Sequence, residues 1–212
     1  MRTSFDDQLK QLNSSMISLG ALCEDAIAKA TKSFLDNDIA LAESIVSVTE
    51  RIDHEEREIE SLCIKLLLMQ QPVARDLRTI SAALKMVTDL ERIGTQSADI
   101  AEIVATVKFP SLIRADTIHD MALSSIKMVN DSIDAFLHSN TEEAKNVIQY
   151  DDVVDNYFTE VKQDLIRRIQ TSPQEGEYAI DLLMIAKYLE RIADHAVNIS
   201  KWVLFSVSGE IN

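Results

Sequence analysis

One segment of this chain is written twice. Leu90-Glu91-Arg92-Ile93-Gly94-Thr95-Gln96-Ser97-Ala98-Asp99-Ile100 recurs as Leu189-Glu190-Arg191-Ile192-Ala193-Asp194-His195-Ala196-Val197-Asn198-Ile199. Self-similarity at half the length of a chain means two copies of one structural unit, so any site has a counterpart. Where the counterparts differ, their chemistry should differ too.

Hydrophobic spacing identifies the unit as helical. Phe5, Leu9, Leu12, Met16, Leu19, Cys23, Ala26 and Ala30 step by four and three in alternation. Ile45, Val48, Ile52, Ile59, Leu62, Leu66 and Met69 do the same, with one gap at Glu55. Leu77, Ile80, Leu84, Val87, Leu90, Ile93, Ser97, Ile100, Val104 and Val107 form a third stripe. Leu182, Ile185, Leu189, Ile192, Ala196, Ile199 and Val203 repeat it in the second half. Such stripes are the packing seams of near-parallel helices. Four Gly and three Pro in 212 residues leave little material for turns, and no alternating run reads as a strand. The expectation is an all-α chain of six long helices, arranged as two tandem three-helix bundles related by a pseudo-twofold. The two bundles are expected to span residues 1–108 and 109–212.

The breaks between helices carry their own signals. Asp36-Asn37-Asp38 separates the first two helices, Pro72 opens the third in its first turn, and Phe109-Pro110-Ser111 divides the halves. Ser139-Asn140-Thr141-Glu142 has capping-box spacing for the fifth helix. Ser172-Pro173-Gln174-Glu175 offers a cap, an N1 proline and a capping-box glutamate for the sixth. The helices then run to roughly 27–35 residues, about 40–50 Å at 1.5 Å per residue.

Charge narrows the function. A net charge of −14 repels nucleic-acid phosphates, and the basic pair Arg167-Arg168 is isolated, so no nucleic-acid partner is expected. Acids at Asp6 and Asp7 stand where a signal peptide needs an apolar run, and no stretch approaches a membrane span. Cys23 and Cys63 lie in apolar helical patterns outside any CxxC, which suits buried free thiols in the cytoplasm. No phosphate loop, nucleophile elbow or Glu-x-x-His is present, so the chain does not read as an enzyme.

The chemistry that remains lies in paired carboxylates. Glu190 and Asp194 are four apart and share one face of the last helix, and Asn198 extends the row. Asp151 and Asp155 form a second such pair on the preceding helix. If the two helices are antiparallel neighbours, four carboxylates converge, and like charges so placed call for a cation or protons. An all-oxygen site suits magnesium, manganese, calcium or iron, and His195 nearby admits zinc. Against this stands a plainer possibility, in which the acids are solvated and Arg191 pairs with Asp194 within the helix. Mapping the halves puts Thr49 with Asp53 opposite Asp151 with Asp155, and Glu91 with Thr95 opposite Glu190 with Asp194. Each first-half pair has lost a carboxylate to Thr, while Asp99 returns one where the second half has Asn198. A full site of Asp151, Asp155, Glu190, Asp194 and Asn198 is therefore expected in the second half, with a weaker or altered one at Asp53, Glu91 and Asp99.

Taken together, Gln71-Pro72-Val73-Ala74-Arg75-Asp76-Leu77-Arg78, Asp89-Leu90-Glu91-Arg92-Ile93-Gly94 and Tyr188-Leu189-Glu190-Arg191-Ile192-Ala193-Asp194-His195 resemble the PhoU family of bacterial phosphate-uptake regulators. The resemblance implies a cytoplasmic protein, often a homodimer, that restrains phosphate uptake and phosphate-starvation signalling. It implies two partners, the ATPase subunit of the phosphate ABC transporter and a phosphate-sensing histidine kinase, with the membrane reached only through them. It also implies metal clusters on E/D-x-x-x-D motifs, which fall here on Asp151 with Asp155 and Glu190 with Asp194. The alternative is a metal-handling helical protein or a metal-dependent phosphohydrolase.

Overall fold

The computed structural model contains α1 (Arg2–Asp36), α2 (Ile39–Met69), α3 (Ala74–Thr106), α4 (Asp116–His138), α5 (Thr141–Thr171) and α6 (Gly176–Ser208), with a 3-10 turn at Pro173–Glu175 before α6. It describes residues 2–69, 73–107, 109 and 116–210, with the backbone alone for 2–4 and 69. No strand occurs among the described residues. No helix among them is long and apolar enough to cross a membrane.

The same turn closes the first helix of each half. Asn37 and Ser139 take left-handed backbone conformations, at φ 54° and 51°. The next amides reach back identically, Asp38 N–H to the Ser33 carbonyl at 2.9 Å and Asn140 N–H to the Ala135 carbonyl at 2.8 Å. Asp38 and Asn140 then cap the following helices, accepting from the amides of Leu41 and Glu143. The N-cap of α5 is thus Asn140, whose side-chain amide also donates to Glu143, one residue later than the expected Ser139 with Glu142, because Ser139 is the left-handed residue that ends α4. The sixth helix also departs from its sequence signal. Pro173 opens the 3-10 turn, and α6 begins only at Gly176. α3 is described from Ala74, with Val73 as its N-cap. Pro72, Pro110 and Ser111 lie outside the described residues. α4 is described over 23 residues, Asp116–His138.

Within each half the three helices pack on one another, α1 with α2 and α3, α4 with α5 and α6. The halves meet through α3 against α6, the most extensive helix pair, and α1 against α4. Both pairs run antiparallel. Arg78 reaches the Ser206 carbonyl at one end of α3 and Asp89 meets His195 further along, while Glu24 of α1 accepts from Asn130 of α4. α2 and α5 pack only within their own halves and so form the outer members. The predicted stripes supply one continuous core, in which Leu12, Met16, Leu19, Ile45, Ile52, Ile80, Leu90 and Ile93 are wholly buried. Each such side chain contributes about 1.5–3 kcal/mol of apolar transfer. Leu77 is the exception: it stands exposed, and the α3 stripe becomes buried at Ile80.

The pseudo-twofold extends to single bonds. Cys23 donates to the carbonyl of Leu90, and Ser125, at the matching place in α4, donates to the carbonyl of Leu189. Each acceptor is the leading leucine of the duplicated segment, whose carbonyl has a second lone pair beyond its helical bond. Both cysteines are free and buried, as expected. Volumes are exchanged across the repeat as well. A Cβ on Gly94 would lie 2.8 Å from Ile52 Cδ1 and 3.2 Å from Ile52 Cγ2. The matching positions in the second half hold Ala193 and Val154, so the methyl missing from one helix appears on the other. Gly94→Ala is therefore expected to destabilise the protein by about 1–3 kcal/mol through overpacking. Adding Ile52→Val should recover most of that loss. Thermal melts of the single and double variants test the pair, and additive losses would contradict it.

Candidate metal centre

The seam between α5 and α6 gathers the acids that the sequence singled out. Burial raises the Asp151 carboxyl to about 6, helped by the charges of Asp155, Asp194, Glu190 and Asp152 in that order. Asp194 is raised too, by burial and then by Glu190 and Asp155, while Lys187 and His195 oppose the shift. Asp151, Asp155, Glu190 and Asp194 thus share one electrostatic neighbourhood, where ionising all four is costly. A cation of the protein's own lies beside them. Lys187 forms an ion pair with Glu190, and its ammonium sits 5.4 Å from the centroid of the Phe158 ring. Its placement three residues before Glu190 was the available sequence signal.

Asn198 and His195 turn towards α3. His195 Nδ1 lies 2.9 Å from Asp89 Oδ1, and Asn198 Nδ2 donates to the same oxygen at 3.4 Å. Asp89 therefore links the acidic seam of one half to the motif helix of the other. Arg191, offered by the sequence as a partner for Asp194, instead lends its charge to Asp99 across the α3–α6 seam and to Tyr188 on its own helix. Gln96, Asp151, Arg191, Asp194, His195, Asn198 and Lys201 line an open groove of about 470 Å³ over this region.

The first half holds a different set. Glu56 is raised by burial and then by Glu91, Glu60 and Asp53, so these four acids share the α2–α3 seam. Thr95 donates to Glu91 Oε1 at 2.7 Å, and Arg92 lies 3.4 Å from Glu91 Oε2. Thr49 bonds its own helix at the Val46 carbonyl. The charges acting on Asp99 are those of Glu102 and Arg191, not of the Asp53–Glu91 group. Glu56 and Glu60 escaped the sequence argument, although their four-residue spacing just beyond Asp53 was legible. Their counterparts in the second half are Phe158 and Lys162, so a search confined to matching positions passes them over.

Four carboxylates on two adjacent helices, with Asp151 forced towards its neutral form, are a donor set that suits a hard or borderline cation. In the arrangement seen, no three His, Cys, Asp or Glu side chains among the described residues are placed to hold a metal ion. Closing the set would require Glu190 to part from Lys187 and the exposed Asp155 and Asp194 to turn inward.

Comparison with known proteins defines the class: long-helix proteins in which one domain is duplicated within the chain. A sequence model of the PhoU domain matches residues 16–104 and 118–203. The chain is 31% identical to the phosphate-specific transport system accessory protein PhoU homolog of Clostridium acetobutylicum, over 99% of this chain and 96% of that one. The crystal structure of PhoU from Pseudomonas aeruginosa superposes with a TM-score of 0.91 at 29% identity, covering 97% of this chain and all of that one. The phosphate transport system regulatory protein PhoU from Streptococcus pneumoniae does so with a TM-score of 0.90 at 28% identity, over 98% and 99%. The chain belongs to the PhoU family.

The raised Asp151 carboxyl has a measurable consequence in metal-free protein. A carboxyl raised on folding binds more protons folded than unfolded, so its contribution is full below its unfolded pKa and is lost as pH rises through about 6. Asp151→Asn is expected to melt above wild type near neutral pH, with the gap closing as pH falls towards about 4. Circular-dichroism melts across that range test this. A gap independent of pH would contradict it.

Proposed function

We propose that this protein is an accessory regulator of phosphate transport that restrains uptake and starvation signalling by docking on partner proteins. The observation that carries the proposal is the match of the PhoU domain to both halves of the chain, together with relatives named for the phosphate-specific transport system. The proposed partners are the ATPase subunit of the phosphate ABC transporter and a phosphate-sensing histidine kinase. A cytoplasmic homodimer is the proposed working form.

Asp151, Asp155, Glu190 and Asp194 are the residues that would hold a metal, with Asn198 at the edge of the set. Iron, zinc, manganese or magnesium would supply positive charge to a seam whose acids oppose one another. The chain's own residues do the rest. Glu190 exchanges Lys187 for the site, and Asp89 holds His195 and Asn198 in place from the other half. Arg191 and Lys201 edge the groove, where an acidic loop or phosphate group of a partner can be received. In the first half the four acids are disposed differently, with Thr95 bonded to Glu91 and no lysine in the position of Lys187. Unequal metal loading of the two halves follows as part of the proposal.

Elemental analysis and a binding titration against the transporter ATPase subunit test this together. Asp151→Asn with Glu190→Gln is expected to abolish the tighter metal site and weaken partner binding at least about tenfold, roughly 1.4 kcal/mol, with the fold retained. Glu91→Gln is expected to leave that site loaded. Equal loading of both halves would overturn the asymmetry. Unchanged partner binding after metal loss would make any metal purely structural.

A further inference from the structure

Along the α5–α6 seam the side chains stand in rungs. The two helices run antiparallel, and Lys187 meets Phe158, its ammonium 5.4 Å from the ring centroid. Counting three residues on along α6 and three back along α5 brings Glu190 level with Asp155, and four more bring Asp194 level with Asp151. Two rungs are therefore acid against acid, and the third is a lysine against an aromatic ring. The lysine leans onto the central rung, where it is ion-paired with Glu190. Its charge also eases the ionisation of Asp194, against the effect of burial, Glu190 and Asp155. The face of the Phe158 ring adds its own attraction for the ammonium.

The first half builds the same ladder without the lysine. Its central rung is Glu91 with Asp53, but Thr88 stands where the second half has Lys187, and Glu56 where it has Phe158. Glu56 is raised by burial and then by Glu91, Glu60 and Asp53, with Arg57 opposing. Arg57 and Arg92 flank these rungs and fill neither side of them. One seam thus leaves its acids facing one another, while the other has replaced an acid with a ring and set a cation beside it.

Two cations cannot both lie against Glu190, because their mutual repulsion is strong in a partly buried seam. The Glu190 side chain is only 15% exposed and has little room to turn elsewhere, whereas that of Lys187 is 38% exposed and can withdraw into solvent on its flexible stem. We propose that Lys187 is the resident counterion of the α5–α6 seam and sets its affinity for metal, a divalent cation entering only by displacing the Lys187 ammonium from Glu190. The inference rests on the metal-binding role proposed for Asp151, Asp155, Glu190 and Asp194, and adds to it the residue that regulates occupancy. Competition weakens metal binding in proportion to how fully the ion pair is formed. A seam closed roughly nine times in ten binds about tenfold more weakly than an open one. Entry of the metal also releases one ammonium to the surface beside Phe158.

The test titrates Mn²⁺ into the EDTA-stripped full chain by calorimetry, with Glu91→Gln as the parent so that the second-half seam is read by itself. Lys187→Met is expected to bind Mn²⁺ about tenfold tighter. Lys187→Arg, which keeps the cation, should bind like the parent, and so should Lys201→Met, which removes a lysine from the groove but not from the rungs. In EDTA the Lys187→Met variant should melt below the parent, and saturating Mn²⁺ should close or reverse that gap. Acetylation of Lys187 by acetic anhydride, followed by mass spectrometry, should rise in the parent when Mn²⁺ is bound, with Lys10 on α1 unchanged. Unchanged or weaker Mn²⁺ binding by Lys187→Met, an equal gain from Lys201→Met, or acetylation indifferent to Mn²⁺ would overturn the role of the lysine and leave the seam a metal site. Absence of Mn²⁺ binding by both the parent and Lys187→Met would overturn the lysine's role and the metal reading together.

Discussion

The antiparallel seam between α3 and α6 places the two copies of the duplicated segment against each other, and the rest of the molecule is arranged around it. Leu90, Ile93, Leu189 and Ile192 are buried along these helices. Glu91 and Glu190, each one residue further round its helix, are left at the outer edges, beside α2 and α5 respectively. One helix thus serves two seams at once: its apolar stripe joins the halves and its acidic row faces the outer helix of its own half. Core packing therefore fixes where both groups of carboxylates lie. Changes in the inner seam would be felt at the acids, as the reach of Asp89 to His195 and Asn198 illustrates.

Duplication lets the two sites be compared within one chain. Both seams hold four acids, but in different registers and with different neutralising groups. The second half sets Lys187 against Glu190, whereas the first gives Glu91 a threonine hydroxyl and the flanking Arg92. The inner seam diverges in the same way. The mate of the His195–Asp89 bond would join Gln96 to Tyr188, yet Gln96 Oε1 is buried without a hydrogen-bond partner. Packing tolerates such divergence when volume is conserved, as the exchange between Gly94 with Ile52 and Ala193 with Val154 indicates.

Much of this fold was legible in the sequence, because a four-three apolar period sustained over whole helices admits few other structures. The stripes named residues that are buried, and the repeat foretold the pseudo-twofold. Local chemistry was less legible. Ser139 resembles a cap residue, but only the tertiary path reveals that it must turn left-handed and pass capping to Asn140. Leu77 fits the stripe but emerges where α3 begins, beyond the cover of its neighbours. The two acid pairs of α5 and α6 were visible as four-residue spacing, but only the packing of the two helices brings Asp151, Asp155, Glu190 and Asp194 into one electrostatic neighbourhood. Arg191 could not be placed in that way: within its helix it has Asp194 in reach, and only the packing of α3 offers it Asp99 instead.

The proposed restraint of phosphate uptake by this duplicated helical scaffold is tested most directly by the rate of labelled phosphate uptake in cells with and without the protein. After a shift from scarce to abundant phosphate, uptake is expected to stay high in cells lacking it and to fall when the wild-type chain is restored. An equal fall in both would contradict the account.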